Sequence, residues 1–165
     1  MTLADIGPMR AGLLLGLGFL GLQLGHPPSA MAQPECSVAT LRGTYVYAYD
    51  GFLIGAGGEQ QPFAFSGIES YDGAGTMTGI YSGSTNGVID EDVPYTGTYT
   101  VNPDCTSELT TVDPVTGEAH YDQFVDPSGD EFTFVQTDEG VVASGSERRV
   151  SVEIITLGAE GPRTP

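Results

Sequence analysis

Short segments of alternating apolar and polar residues, separated by glycine-containing turns, constrain the fold of this sequence more than any other feature. The clearest case runs from Pro62 to Gly83, where two segments rich in aromatic and β-branched residues flank Asp72-Gly73-Ala74-Gly75. An Asp-Gly pair between such segments predicts a β-hairpin, because glycine adopts the positive φ that the tight turn requires. Asn86-Gly87 marks a second turn of this kind. No segment has sustained helical periodicity, so the pattern predicts antiparallel β-structure.

The same signals divide the chain into eight strands spaced by about a dozen residues. The predicted strands are 44–50, 63–71, 76–82, 88–101, 106–112, 118–125, 132–137 and 141–150. The fourth contains three adjacent acids and Pro94, so it is either one interrupted strand or two short ones. We also expect one helical turn between Cys36 and Leu41, and residues 151–157 are able to extend the last strand.

The segment from Gly51 to Gln61 has four glycines around the apolar residues Phe52, Leu53 and Ile54. It is predicted to be a long flexible connection. Loops of that length in small domains often form the lid or rim of a binding site, and the alternative is a mobile loop with one apolar anchor.

A meander of eight strands leaves two unpaired edges, and closing the sheet into a barrel removes both. We therefore predict an all-β fold, an eight-stranded antiparallel up-and-down β-barrel, with a β-sandwich as the alternative. The interior of a barrel with about eight strands is just wide enough to be filled by side chains or to hold one small ligand.

Residues 1–32 have the pattern of a secretory signal peptide. Arg10 precedes an uncharged apolar run, and Ala30-Met31-Ala32 forms a small-residue cleavage site. The run is shorter than the roughly 20 residues that a membrane-spanning helix needs. The predicted organisation is a signal peptide (1–32), a barrel domain (33–157) and a loose C-terminal tail (158–165). The protein is predicted to be secreted, periplasmic or extracellular, with no membrane association after cleavage.

Cys36 and Cys105 are the only cysteines, and export predicts a disulfide between them. Cys36 precedes the first strand, and Cys105 follows the strand that ends at Val101. Successive strands of a meander run in opposite directions, so an even-numbered strand ends at the rim where the first strand begins. The two cysteines therefore share a rim only if the strand ending at Val101 is even-numbered. This condition favours one interrupted fourth strand from Val88 to Val101. Two cysteines and His120 do not supply the four ligands of a closed zinc site, so we predict no metal site and no cofactor.

The chain has 22 Asp and Glu residues against five Lys and Arg, and its formal net charge is −17. Such a surface repels phosphate backbones and anionic lipids, so binding to nucleic acid or to a membrane surface is disfavoured. The predicted partner is a small apolar ligand.

Several short motifs resemble a group of exported bacterial proteins, over most of residues 36–150. They are Cys36-x4-Leu41-x-Gly43-Thr44-Tyr45, the hairpin from Phe65 to Gly79, Gly97-Thr98-Tyr99-x-Val101-x2-Asp104-Cys105 and Val142-Ala143-Ser144-Gly145-x3-Arg149. In pattern and length this group is similar to the allene oxide cyclase-like and dirigent-like barrels, which are lipocalin-like in shape. The resemblance implies a barrel that binds an apolar small molecule or steers a cyclisation in its cavity.

An enclosed cavity that directs a reaction needs a carboxylate or a tyrosine to stabilise developing charge. The candidate catalytic residues are Glu69, Tyr71 and Tyr81, and the candidate ligand-binding residues are Tyr47, Phe63, Phe65 and Tyr99. Glu69 has the strand parity of the neighbouring aromatic residues and points inward if they do, where burial would raise its pKa. The alternative, favoured by the usual exposure of Glu, is that these aromatic rings face outward and Glu69 faces water.

His120 lies among acids and is expected at the surface, and Arg148 and Arg149 are expected to pair with acids. As function, the sequence favours a non-catalytic barrel that binds a small apolar ligand. The alternatives are a cofactor-free cyclase or isomerase of the allene oxide cyclase-like kind, and a structural extracellular protein. An apolar cavity with two or more convergent polar groups would favour the enzyme.

Overall fold

The computed structural model describes residues 35–155 and residue 157, so the predicted signal peptide (1–32) and tail (158–165) lie outside the described residues. Eight antiparallel strands close into a barrel in chain order, which confirms the predicted fold class. A short 3₁₀ helix, Val38–Thr40, precedes β1. The strands are β1 (Arg42–Ile54), β2 (Gln60–Asp72), β3 (Thr76–Thr85), β4 (Val88–Val101), β5 (Thr106–Asp113), β6 (Gly117–Val125), β7 (Glu131–Gln136) and β8 (Val141–Ser151).

Closure takes place at β1, which pairs with β2 along one edge and with β8 along the other. Arg42 lies opposite Asp72 of β2, and Leu53 lies opposite Val141 of β8. Every strand therefore has a partner on each side, and the sandwich alternative does not apply. Within the described residues, no helix is long and apolar enough to cross a membrane.

The prediction of a long flexible connection over residues 51–61 is wrong. Gly51–Ile54 belong to β1, and Gln60 and Gln61 begin β2, so only residues 55–59 connect the strands. Gly51 lies against β8, where an added Cβ would be 2.3 Å from the carbonyl oxygen of Val142. This glycine marks a close approach of two strands rather than a loop. Residues 152–155 and 157 do not extend β8.

The interruption in β4 is a local irregularity within one strand, which confirms the one-strand interpretation. The pairing of β3 with β4 shifts its register between Tyr81 and Gly83, and Asp92 has a φ of 52°. Pairing resumes at once, because Val93 lies opposite Tyr81 and Pro94 opposite Ile80.

Both glycine turns form as predicted. Gly73 has a φ of 77°, and Asn86 and Gly87 have φ values of 50° and 86°. The Asp72 carboxylate accepts hydrogen bonds from the backbone N–H of Ala74 at 2.7 Å and of Thr76 at 3.0 Å. Desolvation raises the pKa of Asp72, but the hydrogen bonds from the Thr76 hydroxyl and from these backbone N–H groups outweigh it and hold the pKa below its ordinary value.

The Cys36–Cys105 disulfide lies at the end of the barrel where the β4–β5 turn meets the segment before β1. The Cα atoms are 5.0 Å apart and 69 residues apart in sequence, and the backbone N–H of Cys36 donates to the carbonyl of Pro103 at 3.2 Å. Closing a loop of this length stabilises the fold by about 4 kcal/mol in the chain-entropy model. The predicted disulfide is confirmed, and it is consistent with an oxidising compartment.

Interior packing depends on glycines that face aromatic rings across the sheet. In four directly opposed pairs the ring also lies over the glycine: Gly67 with Tyr47, Gly79 with Tyr95, Gly83 with Phe65 and Gly145 with Phe134. In each pair the ring occupies the space where the glycine has no side chain: a Cβ on Gly79 would be 2.3 Å from Tyr95 Cζ, and one on Gly145 would be 2.4 Å from Phe134 Cζ. The glycines thus make room for large rings inside a narrow barrel.

One half of the interior is filled by side chains. Tyr45 and Tyr71 are fully buried there, with their ring centroids 5.3 Å apart, and Phe132 packs edge-on against both. Tyr45 donates its hydroxyl to the carbonyl of Gly129 at 2.7 Å. This half, which we call the closed end, carries the disulfide and the 3₁₀ helix, and it leaves the opposite half of the barrel available for a cavity.

The glycine–ring pairs predict that Gly79→Ala destabilises the barrel by about 1–3 kcal/mol, because the new methyl group would overlap the Tyr95 ring. Urea unfolding followed by circular dichroism measures the change. Gly57→Ala is the matched control: it lies in the β1–β2 connection, and its Cβ would meet only the flexible Glu59 side chain. Equal unfolding midpoints for the two variants would show that the ring moves aside without cost.

Candidate ligand-binding site

A cavity of about 460 Å³ occupies the half of the barrel opposite the closed end. Its outer rim includes residues next to four turns: Leu53 before the β1–β2 connection, Thr85 before the β3–β4 turn, Thr116 in the β5–β6 turn and Val141 after the β7–β8 turn. We call this rim the mouth. Connections at the other end of the barrel belong to the filled half, so a ligand would enter from the mouth.

Eight aromatic rings line the cavity wall. They come from six strands and are Tyr47, Tyr49, Phe63, Phe65, Tyr81, Tyr95, Tyr121 and Phe134. Neighbouring rings pack against one another, with Tyr49 and Phe65 stacked at 5.9 Å and Phe65 and Tyr81 edge-on at 5.2 Å between centroids. This packing fixes their orientation, and the cavity offers ring faces and edges to an apolar molecule.

Glu69 lies at the inner end of the cavity, which we call the floor. It is 4% exposed, so the expectation that it faces water is wrong. Tyr71 donates a hydrogen bond to Glu69 Oε2 at 2.7 Å, and Tyr95 donates another to Oε1. Each carboxyl oxygen of Glu69 therefore accepts one hydroxyl hydrogen bond, and these bonds reduce the energetic cost of burying the group.

Glu147 of β8 stands beside Glu69 at the floor and is 3% exposed. Its Oε2 is the one buried side-chain oxygen or nitrogen in the described part of the chain that has no hydrogen-bond partner. An unpartnered buried carboxyl oxygen lowers stability, because it has lost water without gaining a donor. The floor therefore has unused capacity to accept a hydrogen bond.

The two carboxyl groups hold their protons more tightly than free glutamic acid. Desolvation by burial is the main cause of the raised pKa of both Glu69 and Glu147. For Glu147, the charge of Glu69 raises the pKa further. For Glu69, the hydrogen bonds from Tyr71 and Tyr95 partly offset the effect of burial. Two adjacent buried carboxyl groups cannot both ionise readily, so the pair retains a proton above the pH at which free glutamic acid has lost it.

Further polar groups continue the floor towards β5 and β6. Gln123, which is 1% exposed, accepts a hydrogen bond from the Ser107 hydroxyl at 2.7 Å, and its side-chain amide lies 3.4 Å from the Tyr71 hydroxyl. Together with Glu69 and Glu147, these residues form a polar layer that separates the cavity from the closed end.

The mouth carries acidic side chains, and no Lys, Arg or His side chain lines it among residues 35–155 and 157. Asp113, Glu118 and Asp138 line it. Tyr81 Oη lies 3.4 Å from Asp113 Oδ1. His120 is on the outer surface, where its Nδ1 lies 2.7 Å from Asp138 Oδ1, and this hydrogen bond raises the histidine pKa. The surface position predicted for His120 is confirmed.

The structure brings most of the sequence-predicted site residues together. Tyr47, Phe63, Phe65 and Tyr81 line the cavity wall, and Glu69 lies at its floor. All five point inward because they share the inward parity of β1, β2 and β3. Their roles in binding or catalysis stay predictions, since no ligand is present.

Tyr71 and Tyr99 lie outside the cavity. Tyr71 is below the floor and contacts the site through its hydrogen bond to Glu69. Tyr99 is in the closed end, where it donates its hydroxyl to the carbonyl of Leu41 at 2.8 Å. Arg149 also belongs to the closed end, with its Nη1 3.6 Å from Asp130 Oδ1 and its Nε 3.1 Å from the Tyr45 hydroxyl. This pairing agrees with the structural role expected for that arginine.

Sequence reasoning missed Glu147 and four of the wall rings, which are Tyr49, Tyr95, Tyr121 and Phe134. A signal for Glu147 exists, because it shares parity with Ala143 and Gly145 in β8, and small residues are common on the inner face of a crowded barrel. Within residues 35–155 and 157, no group of three or more His, Cys, Asp or Glu side chains is placed to hold a metal ion.

The carboxyl pair predicts that the protein loses stability as the pH rises above about 4.5. The folded state holds the proton of Glu147 to a higher pH than the unfolded chain, so this stabilisation is complete below the unfolded pKa and disappears as the pH passes the raised folded pKa. Each unit of pKa shift corresponds to about 1.4 kcal/mol. Glu147→Gln should flatten the decline above about pH 4.5, measured by urea unfolding at a series of pH values.

Glu108→Gln is the control for that experiment, because it removes the same charge from an exposed position on the outside of β5. It should keep the wild-type slope. Indistinguishable slopes for wild type and Glu147→Gln would mean that the buried pair does not hold a proton in this pH range.

No protein-family model matches the sequence, and no curated protein matches it. Two solved structures are similar to it. One is described as a redesigned beta barrel, mFAP1, bound to DFHBI; it is 19% identical, with a TM-score of 0.48, and the match covers 68% of this chain and 97% of that one. The other is the redesigned barrel mFAP0, also bound to DFHBI, with 18% identity, a TM-score of 0.45 and coverage of 67% and 99%. By its own strand pairing the chain is an eight-stranded antiparallel β-barrel, and no family assignment follows from these comparisons.

Proposed function

We propose that the protein binds one small, mainly apolar molecule in the barrel cavity and leaves it chemically unchanged. The observation that carries this proposal is the cavity of about 460 Å³ walled by aromatic rings. Small-molecule sites are typically concave, mostly apolar, and about 300–1,000 Å³ in volume, with a few fixed polar groups. A purely structural barrel would gain stability by filling this space, because dispersion contacts and apolar burial both increase with packing.

The ligand would lie with its apolar part against the rings and its polar end at the floor. Tyr49 and Phe63 are buried in the wall with their centroids 5.0 Å apart, so they are already desolvated and ordered before a ligand arrives. A preformed site of this kind loses little conformational entropy on binding. We also propose that the protein acts outside the cytoplasm, with which its disulfide is consistent.

Cavity filling tests the proposal. Ala119 of β6 is buried and lines the cavity, so Ala119→Phe would occupy the ligand's space. Nile red, a neutral dye whose fluorescence rises in apolar surroundings, serves as the probe. We expect saturable binding by wild type and at least about a tenfold loss of affinity in Ala119→Phe, which corresponds to about 1.4 kcal/mol.

Ala64→Phe is the matched control, because Ala64 is exposed on the outside of β2 and the same side chain added there leaves the cavity unchanged. It should bind Nile red as wild type does. Binding that is unaffected by Ala119→Phe, or equally reduced by both substitutions, would place the dye outside the cavity and contradict the proposal.

A second candidate is a cofactor-free isomerase or cyclase of the allene oxide cyclase-like kind. The convergence of Glu69, Glu147 and Tyr95 at the floor favours it, because a buried carboxyl group that retains its proton is able to stabilise negative charge that develops on a substrate oxygen. An isomerisation needs no co-reactant, since atoms and electrons are conserved within the substrate.

The enzyme candidate is tested with an allene oxide generated in the assay from the methyl ester of a fatty-acid hydroperoxide, because the acids at the mouth would repel a free carboxylate. If the candidate is right, the protein raises the share of ring-closed over hydrolysed product and favours one enantiomer, and Glu147→Gln abolishes both effects while still binding Nile red. Identical product ratios with and without the protein would leave binding alone as the function.

A further inference from the structure

We propose that the ligand of this cavity is a cation, namely a protonated amine attached to an apolar or aromatic body, with its ammonium group at Glu147 and Glu69. This inference rests on the proposed binding function and adds the chemical class of the ligand. The observations behind it are the charges that line the cavity, the unpartnered oxygen at the floor and the aromatic wall.

The charged side chains that line the cavity all have one sign, although His120 on the outer surface pairs with two of the mouth acids, Glu118 and Asp138. Five acids line it, two at the floor and three at the mouth, and no Lys, Arg or His side chain does so in the described part of the chain. The whole sequence contains only five Lys and Arg residues. A cleft lined by one sign of charge between low-dielectric walls concentrates counter-ions, and here it would attract cations and repel carboxylates and phosphates.

Arg149, two residues after Glu147 in β8, does not neutralise the floor. Arg149 lies on the closed-end side of Tyr45, where its guanidinium donates to the carbonyl of Ser128 at 3.1 Å and lies near Asp130. Asp130 thus balances the charge of Arg149 outside the cavity. The acids at the floor keep their attraction for a cation that enters through the mouth.

Apart from the proton that the carboxyl pair retains, the floor mainly accepts hydrogen bonds. Tyr71 and Tyr95 already direct their hydroxyl hydrogens to Glu69. Glu147 Oε2 has no hydrogen-bond partner of its own, although the Glu147 carboxyl group interacts with the neighbouring Glu69 and Tyr71 side chains. An ammonium group supplies up to three N–H donors and a positive charge at once, whereas a hydroxyl supplies one donor and no charge.

The wall complements the same ligand class. Tyr47, Tyr81 and Tyr95 line the cavity together with the floor acids, and the face of an aromatic ring attracts a cation electrostatically. Such attraction is strongest for a desolvated ammonium group, which the enclosed half of the barrel provides. Rings and carboxylates together therefore favour an apolar amine over a neutral molecule of equal size.

The inference also predicts a pH dependence. The titratable groups that act on Glu147 are Glu69 and Tyr71 of β2 and Tyr45 and Tyr47 of β1. Burial raises the pKa of each of these tyrosines, so they stay neutral, and the carboxyl pair is the group that ionises. Amine affinity should rise with pH as the pair loses its proton and fall only when the amine itself becomes neutral.

Three indole compounds of similar size separate charge from shape: tryptamine is a cation, tryptophol is neutral and indole-3-acetate is an anion. Isothermal titration calorimetry of the full chain without its predicted signal peptide measures each. We expect tryptamine to bind at least about tenfold more tightly than tryptophol, and indole-3-acetate to bind more weakly than both. Equal affinities for tryptamine and tryptophol, or tighter binding of the anion, would overturn the inference.

Glu147→Gln should bring the ratio of tryptamine to tryptophol affinity close to one while keeping tryptophol binding, which also shows that the variant is folded. Glu108→Gln, on the outer surface, should keep the wild-type ratio. If no indole compound binds but Nile red still binds in an Ala119→Phe-sensitive way, the ligand class is wrong and the proposed binding function stands. If neither dye nor indole binds, both proposals fail.

Discussion

The packing of an aromatic ring over a glycine on the neighbouring strand is the constraint on which this barrel depends. A closed sheet of eight strands has a narrow interior, and it cannot hold a large side chain at every inward position. Gly79 under Tyr95 and Gly145 under Phe134 show the solution, because each ring fills the space that its glycine leaves. The arrangement lets one wall carry many rings at fixed orientations. The cavity owes its aromatic lining to these glycines.

The polar layer formed by Glu69, Glu147, Tyr71, Gln123 and Ser107 divides the interior into two parts of different character. On one side of the layer lies the closed end, which aromatic side chains fill and which the disulfide and the hydrogen bonds of Arg149 stabilise. On the other side, aromatic rings surround an empty volume of about 460 Å³. Burying two carboxyl groups at this boundary costs stability, and a ligand that donates to Glu147 would recover part of that cost. Stability and binding are therefore coupled at the same pair of residues.

The alternation of side chains along each strand was the most informative signal in the sequence. It correctly placed Glu69 on the same face of β2 as Phe63 and Phe65, since period-two alternation is a local property of the chain, but it did not decide that this face points inward. It could not show that Tyr99 lies in the filled half, because depth along the barrel depends on how far each strand is staggered against its neighbours. The same limit hid the pairing of Glu69 with Glu147, which are 78 positions apart and come together only through closure of β8 onto β1. The loop prediction over residues 51–61 failed partly because of Gly51. In a sequence, a glycine that permits close contact between two strands cannot be distinguished from one that permits a turn.

The sequence by itself determined the number of strands, the positions of the Asp-Gly and Asn-Gly turns, the disulfide partners and the excess of acids, because each follows from residues close in the chain or from simple counts. Only the tertiary structure decided that the interior is half filled and half hollow, and that two glutamates meet at the boundary. Those properties depend on the register and stagger of all eight strands at once. A one-residue change of register would turn every side chain of a strand to the other face, so the site is a product of closure and not of any single segment.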